Sequence, residues 1–146
     1  SLERPHGPRR FQLESLSLAV DTPKRNALIV ETYGKHGEHR KAVAFTVDVA
    51  HAQHLAEAFR EGGFRADWVS GELPILERRE RLRKLRDGEL DVLSNCSVLS
   101  EGWDEPSIAC LIMARPTKST GLYIQMAGRG LRPYPGKDFC LLIDVS

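Results

Sequence analysis

The stretch Lys41-Ala42-Val43-Ala44-Phe45-Thr46 decides the fold class of this chain. Its four central residues are all apolar, which is typical of a strand that is buried on both faces. Asp48 follows at once and can cap a helix. The apolar positions of that helix share one face, and they are Ala52, Leu55, Ala56 and Phe59. A buried strand that leads directly into an amphipathic helix predicts an α/β domain.

Strand and helix signals alternate on both sides of this unit. Thr22 and Pro23 can open an earlier helix that Gly37 ends, and residues 1–22 are interpreted as an arm or inter-lobe linker. A highly charged helix is predicted to start at Pro74, with Ile75, Leu82 and Leu85 facing inward. Further strands are predicted at 64–69, 90–93, 109–114 and 139–145. The pattern predicts a domain over residues 23–146, with a mainly parallel sheet of about five or six strands and helices on both faces.

Composition restricts the class of protein. The chain has 146 residues, of which 41% are hydrophobic and 28% charged, as in a soluble domain with one core. Its net charge is +1, so a nucleic-acid contact would depend on local clusters of charge. Cys96, Cys110 and Cys140 are too widely spaced for a zinc site or a disulfide framework, which fits a cytoplasmic location. No stretch is long and apolar enough to span a membrane. Because Ser1 replaces an initiator methionine, we expect a piece of a larger protein.

Small or polar residues follow the predicted strands directly. The carboxyl ends of parallel strands meet at one edge of a sheet, and ligands of open α/β folds bind there. These residues are therefore predicted to lie close together. They are Thr46, Ser70, Gly71, Ser94, Asn95 and the segment Arg115-Pro116-Thr117.

Two motifs each permit two interpretations. The segment 101–106, Glu-Gly-Trp-Asp-Glu-Pro, is either a solvated turn or a packed loop whose Asp104 accepts a hydrogen bond from a ribose hydroxyl. Arg129 and Arg132 are three residues apart beside two glycines. They either grip phosphate oxygens with paired hydrogen bonds or are solvated at a helix end.

Two further patterns are better explained as parts of a solvated helix surface than as binding sites. His51 and His54 are three residues apart on a predicted helix without a third ligand, so an exposed helix surface is favoured over a metal site. The mixed charges of residues 77–84 predict a solvated helix face with i,i+4 ion pairs. A basic strip against a nucleic-acid backbone is the alternative.

Several catalytic signatures are absent from the sequence. There is no G-x-x-x-x-G-K-[ST] phosphate loop, no Rossmann G-x-G-x-x-G and no G-x-S-x-G turn. The chain is therefore not expected to hold and hydrolyse ATP by itself.

Taken together, the motifs resemble the second RecA-like lobe of superfamily 2 helicases and translocases, over about residues 40–146. Residues 125–132 resemble helicase motif VI, 94–106 motif V, 42–46 motif IV, and 69–71 the segment after it. Motif VI begins with Gln125 and Met126, whereas DEAD-box proteins have His-Arg there. With Glu-Gly-Trp-Asp in motif V, this looks more like XPB-type repair helicases and the motor subunits of type I and type III restriction enzymes. The resemblance favours DNA over RNA as the partner.

The resemblance implies a site that is divided between two lobes. ATP with Mg²⁺ would lie in the cleft, and the first lobe would supply the Walker A loop and the Mg²⁺ ligands, so no metal site is expected in this lobe. Arg129 and Arg132 would be arginine fingers, with Gln125 as a positioning group. The implied ATP-binding residues are Glu101, Gly102, Asp104 and Gly128. The implied contacts to phosphates of a nucleic-acid strand are Thr46, Ser70, Gly71, Ser94 and Asn95.

Two functions remain open on this basis. The first is the C-terminal lobe of an ATP-dependent DNA helicase or translocase, whose partners are DNA and the N-terminal RecA-like lobe of the same protein. The alternative is a non-catalytic RecA-like module for nucleic-acid binding or assembly. The presence of Gln125, Arg129 and Arg132 favours the motor, and the isolated lobe is expected to be inactive.

Overall fold

The computed structural model describes residues 19–96, 107–115 and 141–144. The helices are α1 (Pro23–His36), α2 (Val49–Glu61) and α3 (Ile75–Arg86), and the strands are β1 (Ala42–Phe45), β2 (Ala66–Ser70), β3 (Val92–Cys96), β4 (Cys110–Met113) and β5 (Leu141–Asp144). The five strands form one sheet in the order β2-β3-β1-β4-β5, and every described pair is parallel. The predicted α/β fold with a parallel sheet is confirmed.

Strand β1 lies in the middle of this sheet. It pairs with β3 on one side and β4 on the other, so Ala42 lies opposite both Val92 and Cys110. All four of its residues are buried. A continuous apolar strand is therefore placed where both of its faces and both of its edges are covered.

Helices cover both faces of the sheet, as the sequence predicts. Helices α1 and α2 contribute Tyr33 and Phe59 to the core on one face, where the two rings meet edge to face at 5.6 Å. Helix α3 contributes Leu85 to the core on the opposite face, together with Val43 and Leu93 of the sheet. The structure therefore has three layers.

The helix ends match the capping residues found in the sequence. The Thr22 hydroxyl accepts a hydrogen bond from the Arg25 amide at 3.2 Å, and the Asp48 carboxylate accepts one from the His51 amide at 2.8 Å. At the other end of α1, a Cβ on Gly37 would lie 2.6 Å from the Tyr33 carbonyl oxygen. That close approach explains why a glycine ends the helix.

The third strand differs from its predicted bounds. It runs from Val92 to Cys96, so Ser94 and Asn95 lie within the strand and not after it. Both residues are buried. A polar residue is tolerated in this position because the Asn95 side-chain amide donates to the Ala44 carbonyl oxygen at 2.9 Å.

The charged helix α3 matches its prediction only in part. Arg83 forms ion pairs with Glu80 and Asp87 on the solvated face, as expected from the sequence. Leu85 is buried, but the prediction that Ile75 faces inward is wrong, because its side chain is 52% exposed. Ile75 is the first residue of the helix, whereas Leu82 and Leu85, two and three turns later, pack against the core.

The prediction that His51 lies on an exposed helix surface is also wrong. His51 is fully buried, one turn before Leu55 on the face of α2 that packs on the sheet, whereas His54 is exposed. The Val47 amide donates to Nδ1 of His51 at 3.2 Å, so Nε2 carries the proton of the neutral ring. Burial lowers the pKa of His51, and the carboxylates of Asp21 and Asp48 oppose that shift.

Two arginines cover the outer edge of β2, which is the last described strand on its side of the sheet. Arg60 donates through Nε to the Ala66 carbonyl oxygen at 2.8 Å. Arg81 donates to the Trp68 carbonyl oxygen at 2.6 Å, and its guanidinium lies 5.0 Å from the Trp68 ring centroid. These contacts occupy backbone acceptors that another strand would otherwise use.

Within the described residues, no helix is long and apolar enough to cross a membrane.

Replacing Arg81 with alanine should lower the free energy of unfolding by about 1–2 kcal/mol, because one hydrogen bond and one cation–π contact are lost together. Urea denaturation measures this change. Arg79→Ala is the matched control: it removes an exposed arginine from the same helix and should change stability by less than about 0.5 kcal/mol. Equal losses in the two variants would contradict the role of Arg81.

Acidification should destabilise the chain through His51. The folded state keeps this ring neutral, whereas the unfolded state takes up a proton with an ordinary pKa of about 6.5. Below that pH the unfolded state binds more protons. Between pH 7.5 and 5.5, His51 should therefore reduce the free energy of unfolding by up to about 1.4 kcal/mol.

Urea denaturation of His51→Asn at the two pH values tests this assignment. The Asn side-chain oxygen can still accept from the Val47 amide but does not titrate, so the variant should lose less stability on acidification than the original chain. If His51→Asn and the original chain lose equal stability, His51 is not the titrating group.

Candidate functional site

The carboxyl ends of β1, β2 and β3 meet at one edge of the sheet. Asn95 on β3 lies opposite Val69 of β2 and opposite Phe45 of β1. Thr46 follows β1 directly, and Gly71 follows β2. The structure therefore brings together the five residues that the resemblance implies for nucleic-acid contact, which are Thr46, Ser70, Gly71, Ser94 and Asn95.

The side chains of Thr46 and Asn95 bond to the backbone of the sheet. The Thr46 amide and hydroxyl both donate to the Asn95 carbonyl oxygen, at 3.0 Å and 2.9 Å. The Asn95 side chain donates in return to Ala44. Each of Thr46 and Asn95 is only 1% exposed. These two residues form the buried base of the carboxyl edge of the sheet.

Ser70 and Gly71 have opposite surroundings at the end of β2. Ser70 is buried, and its hydroxyl accepts a hydrogen bond from the Glu72 amide at 3.1 Å. Gly71 is exposed, and no heavy atom of the described structure lies within 4 Å of the position that a Cβ would take. Gly71 is therefore a point where another molecule can approach the backbone closely.

The first turn of α3 begins just beyond Gly71. Its N-cap residue is Pro74, which makes no side-chain hydrogen bond to the helix. The amides of the first turn are donors without an intrahelical partner, and they carry the positive end of the helix dipole. Such a helix end suits an anion such as a phosphate group.

Two arginines at this edge were not singled out as site residues from the sequence. Arg78 lies in the first turns of α3, and Arg115 lies just after β4. The Nε atom of each is buried and has no hydrogen-bond partner among the described residues. The sequence signal for Arg115 was its position directly after a predicted strand. Arg78 had no distinguishing signal within a helix that contains many arginines.

Other predicted site residues lie outside the described residues. They are Glu101, Gly102, Asp104, Gln125, Gly128, Arg129 and Arg132. In the part of the chain that the structure describes, no group of three His, Cys, Asp or Glu residues could hold a metal ion.

Known proteins similar to this chain include helicases. Residues 23–133 match the family described as the helicase conserved C-terminal domain. Over 138 residues the chain is 41% identical to IRC3 of Saccharomyces cerevisiae, which is named as an ATP-dependent helicase, and the match covers 92% of this chain and 20% of that protein. Over 101 residues it is 34% identical to UvrABC system protein B of Chlorobium limicola, covering 66% of this chain and 15% of that protein. The chain thus spans a fifth or less of these relatives.

The fold is also found among solved structures. The DEAD-box protein SrmB of E. coli, in its complex with regulator of ribonuclease activity A, superposes with a TM-score of 0.72 at 23% identity, covering 86% of this chain and 73% of that one. At this identity the likeness concerns the fold alone. Together with the family match, it leads to one conclusion: the chain belongs to the helicase conserved C-terminal domain family and has the fold of the C-terminal RecA-like lobe of superfamily 2 helicases.

Proposed function

We propose that this chain is the C-terminal lobe of an ATP-dependent DNA helicase or translocase. In this proposal one edge of the lobe binds the backbone of a nucleic-acid strand. Arg129 and Arg132 act on ATP that is held mainly by the N-terminal RecA-like lobe of the same protein. The observation that carries the proposal is the carboxyl edge of the sheet, where exposed Gly71 precedes the uncapped first turn of α3, and where Arg78 and Arg115 each keep an Nε atom without a hydrogen-bond partner among the described residues.

The edge is suited to a phosphate backbone and not to base recognition. Arg78 and Arg115 offer charged donors, and the first turn of α3 offers neutral backbone donors. In the strand order, β2 and β4 are separated by three strand spacings, or about 14 Å. Donors at both places can therefore contact different phosphates of one strand. Such contacts position a strand without reading its sequence.

Because the sequence has no phosphate loop, we propose that this lobe contacts ATP bound to the other lobe. No Walker A sequence occurs in this chain, so Arg129 and Arg132 would act across the cleft between the lobes. Gln125 would position them, and Glu101, Gly102, Asp104 and Gly128 would line the nucleotide on this side. We assign the Mg²⁺ ligands to the partner lobe, as the resemblance to superfamily 2 helicases implies.

DNA is the strand that we propose. The reason is the sequence of the motifs, namely Gln125 at the start of motif VI and Glu-Gly-Trp-Asp in motif V, which resemble DNA repair and restriction motors. RNA is the competing partner, since one solved relative of the fold is a Dbp5 complex bound to RNA. An ATPase assay with single-stranded DNA, duplex DNA and RNA as stimulators separates the three. Stimulation by RNA alone would overturn the DNA assignment.

Arg132→Ala tests the arginine-finger role in the full-length protein that carries this chain. ATP hydrolysis stimulated by nucleic acid should fall by roughly a thousandfold to a hundred-thousandfold, because the charge that develops on the transferred phosphoryl group is no longer neutralised. Steady-state phosphate release measures the rate. Arg79→Ala, which removes an exposed arginine from α3, should hydrolyse ATP at the original rate. Normal turnover by Arg132→Ala would exclude the assignment.

Gly71→Glu tests the strand-binding edge. A carboxylate about 4 Å from a phosphate should weaken binding of single-stranded DNA roughly fivefold, because like charges repel by about 1 kcal/mol in water. Fluorescence anisotropy at fixed ionic strength measures the affinity. Gly71→Gln is the matched control, since it adds a side chain of the same size without the charge, and a Cβ at this position meets nothing within 4 Å among the described residues. Unchanged affinity in both variants would place the strand elsewhere.

A further inference from the structure

The hydrogen bonds between Thr46 and Asn95 form a closed arrangement at the ends of β1 and β3. Asn95 accepts from the amide and hydroxyl of Thr46 through its carbonyl oxygen. Its side chain donates to the carbonyl oxygen of Ala44 at 2.9 Å. Asn95 therefore holds β1 at two points, one before and one after Phe45, which lies opposite it in the register. We refer to this set of contacts as the Thr46–Asn95 lock.

The loop that follows the lock is also held from its other end. The Val47 amide donates to the buried His51 ring at 3.2 Å, and the Asp48 carboxylate caps α2. The Thr46 hydroxyl has a second acceptor in the Asp48 carbonyl oxygen at 3.3 Å. Each of the three loop residues is thus tied to β3 or to α2. The loop is a rigid connection and not a surface that rearranges around a ligand.

The Thr46 hydroxyl is poorly placed to contact a phosphate. Its single proton already has two protein acceptors, and the residue is 1% exposed. A phosphate could bind it only by displacing a buried hydrogen bond. Gly71, by contrast, is exposed at the end of β2. The two residues lie on the same edge, yet only Gly71 is accessible to a strand.

The lock lies at the strand-binding edge, on the strand that precedes the segment proposed to contact ATP. Asn95 pairs with β2, which ends at Gly71, and it lies on the strand that leads into the motif V segment with Gly102 and Asp104. Its carbonyl oxygen and side chain fix β3 against β1, the central strand. The lock adds side-chain hydrogen bonds at the carboxyl edge to the backbone pairing that already joins β3 and β1.

We propose that Thr46 and Asn95 are positioning residues, which couple binding of the nucleic-acid strand to ATP hydrolysis by fixing the carboxyl end of β3 against β1. Neither side chain contacts the phosphates directly. This inference rests on the proposed function, since it concerns how strand binding stimulates hydrolysis. It differs from that proposal in the role of Thr46 and Asn95, which the resemblance alone would assign to phosphate contact.

Thr46→Val and Thr46→Ser in the full-length protein test the inference. Valine keeps the shape of threonine but removes the hydroxyl donor, whereas serine keeps the donor. Thr46→Val should lower the kcat of strand-stimulated hydrolysis about tenfold, as expected for one buried hydrogen bond. The affinity for single-stranded DNA should stay within about twofold, and its dependence on salt should be unchanged. Thr46→Ser should restore most of the kcat.

Arg78→Gln supplies the comparison for a direct phosphate contact. It should weaken strand binding and reduce the slope of log affinity against log salt by about one. If Thr46→Val reduces the salt slope in the same way, the hydroxyl contacts a phosphate and the inference is wrong. If Thr46→Val keeps the original kcat, the lock does not couple the two sites, and the inference is equally wrong.

Hydrogen exchange separates failure of the lock from failure of the proposed function. In the 146-residue chain, Thr46→Val should speed exchange of the amides of residues 46 and 47, which donate to Asn95 and His51, at least tenfold, while exchange in the middle of α1 stays the same. Unchanged exchange would refute the lock whatever the protein does with ATP. If exchange responds as expected but the original full-length protein shows no strand-stimulated hydrolysis, the proposed function fails and the coupling role fails with it.

Discussion

The structure depends on the burial of β1 in the middle of the sheet. Its four apolar residues have no water on either face, and its backbone is bonded to β3 on one side and β4 on the other. Its neighbours are parallel and so need crossover connections, and its two apolar faces need cover from helices. The three layers follow from that requirement. So does the single edge at which the carboxyl ends of the strands meet.

At this edge some residues are buried and support the sheet, whereas others are accessible to a ligand. Thr46 and Asn95 are buried and bonded to the backbone of the sheet, and the neighbouring loop is fixed by the buried ring of His51. Gly71 is open to solvent, and Arg78 keeps a donor without a partner among the described residues. A buried, hydrogen-bonded support beneath an exposed glycine and the first turn of α3 is a suitable arrangement for a charged backbone.

Much of the fold could be predicted because its signals are local. Apolar runs identified the strands, and Thr22 and Asp48 identified two helix starts that the structure reproduces. The errors arose where tertiary contacts changed the meaning of a residue. Asn95 was predicted to follow β3 because it is polar, but a hydrogen bond to Ala44 satisfies it within the strand. His51 was predicted to lie on an exposed helix surface because the helix offers no third metal ligand, but one ring nitrogen accepts from Val47 and the helix face is buried.

The sequence by itself determined the fold class, the helix caps and the set of polar residues that gather at one edge, because each depends on periodicity or on neighbours along the chain. Only the tertiary structure decided which of those residues are accessible. Thr46 and Gly71 look equivalent in sequence, as small residues that follow a strand directly. They differ because β3 supplies an acceptor beside Thr46, whereas nothing in the described structure lies close to Gly71. Contacts between residues that are distant in the chain set that difference, and no local pattern encodes it.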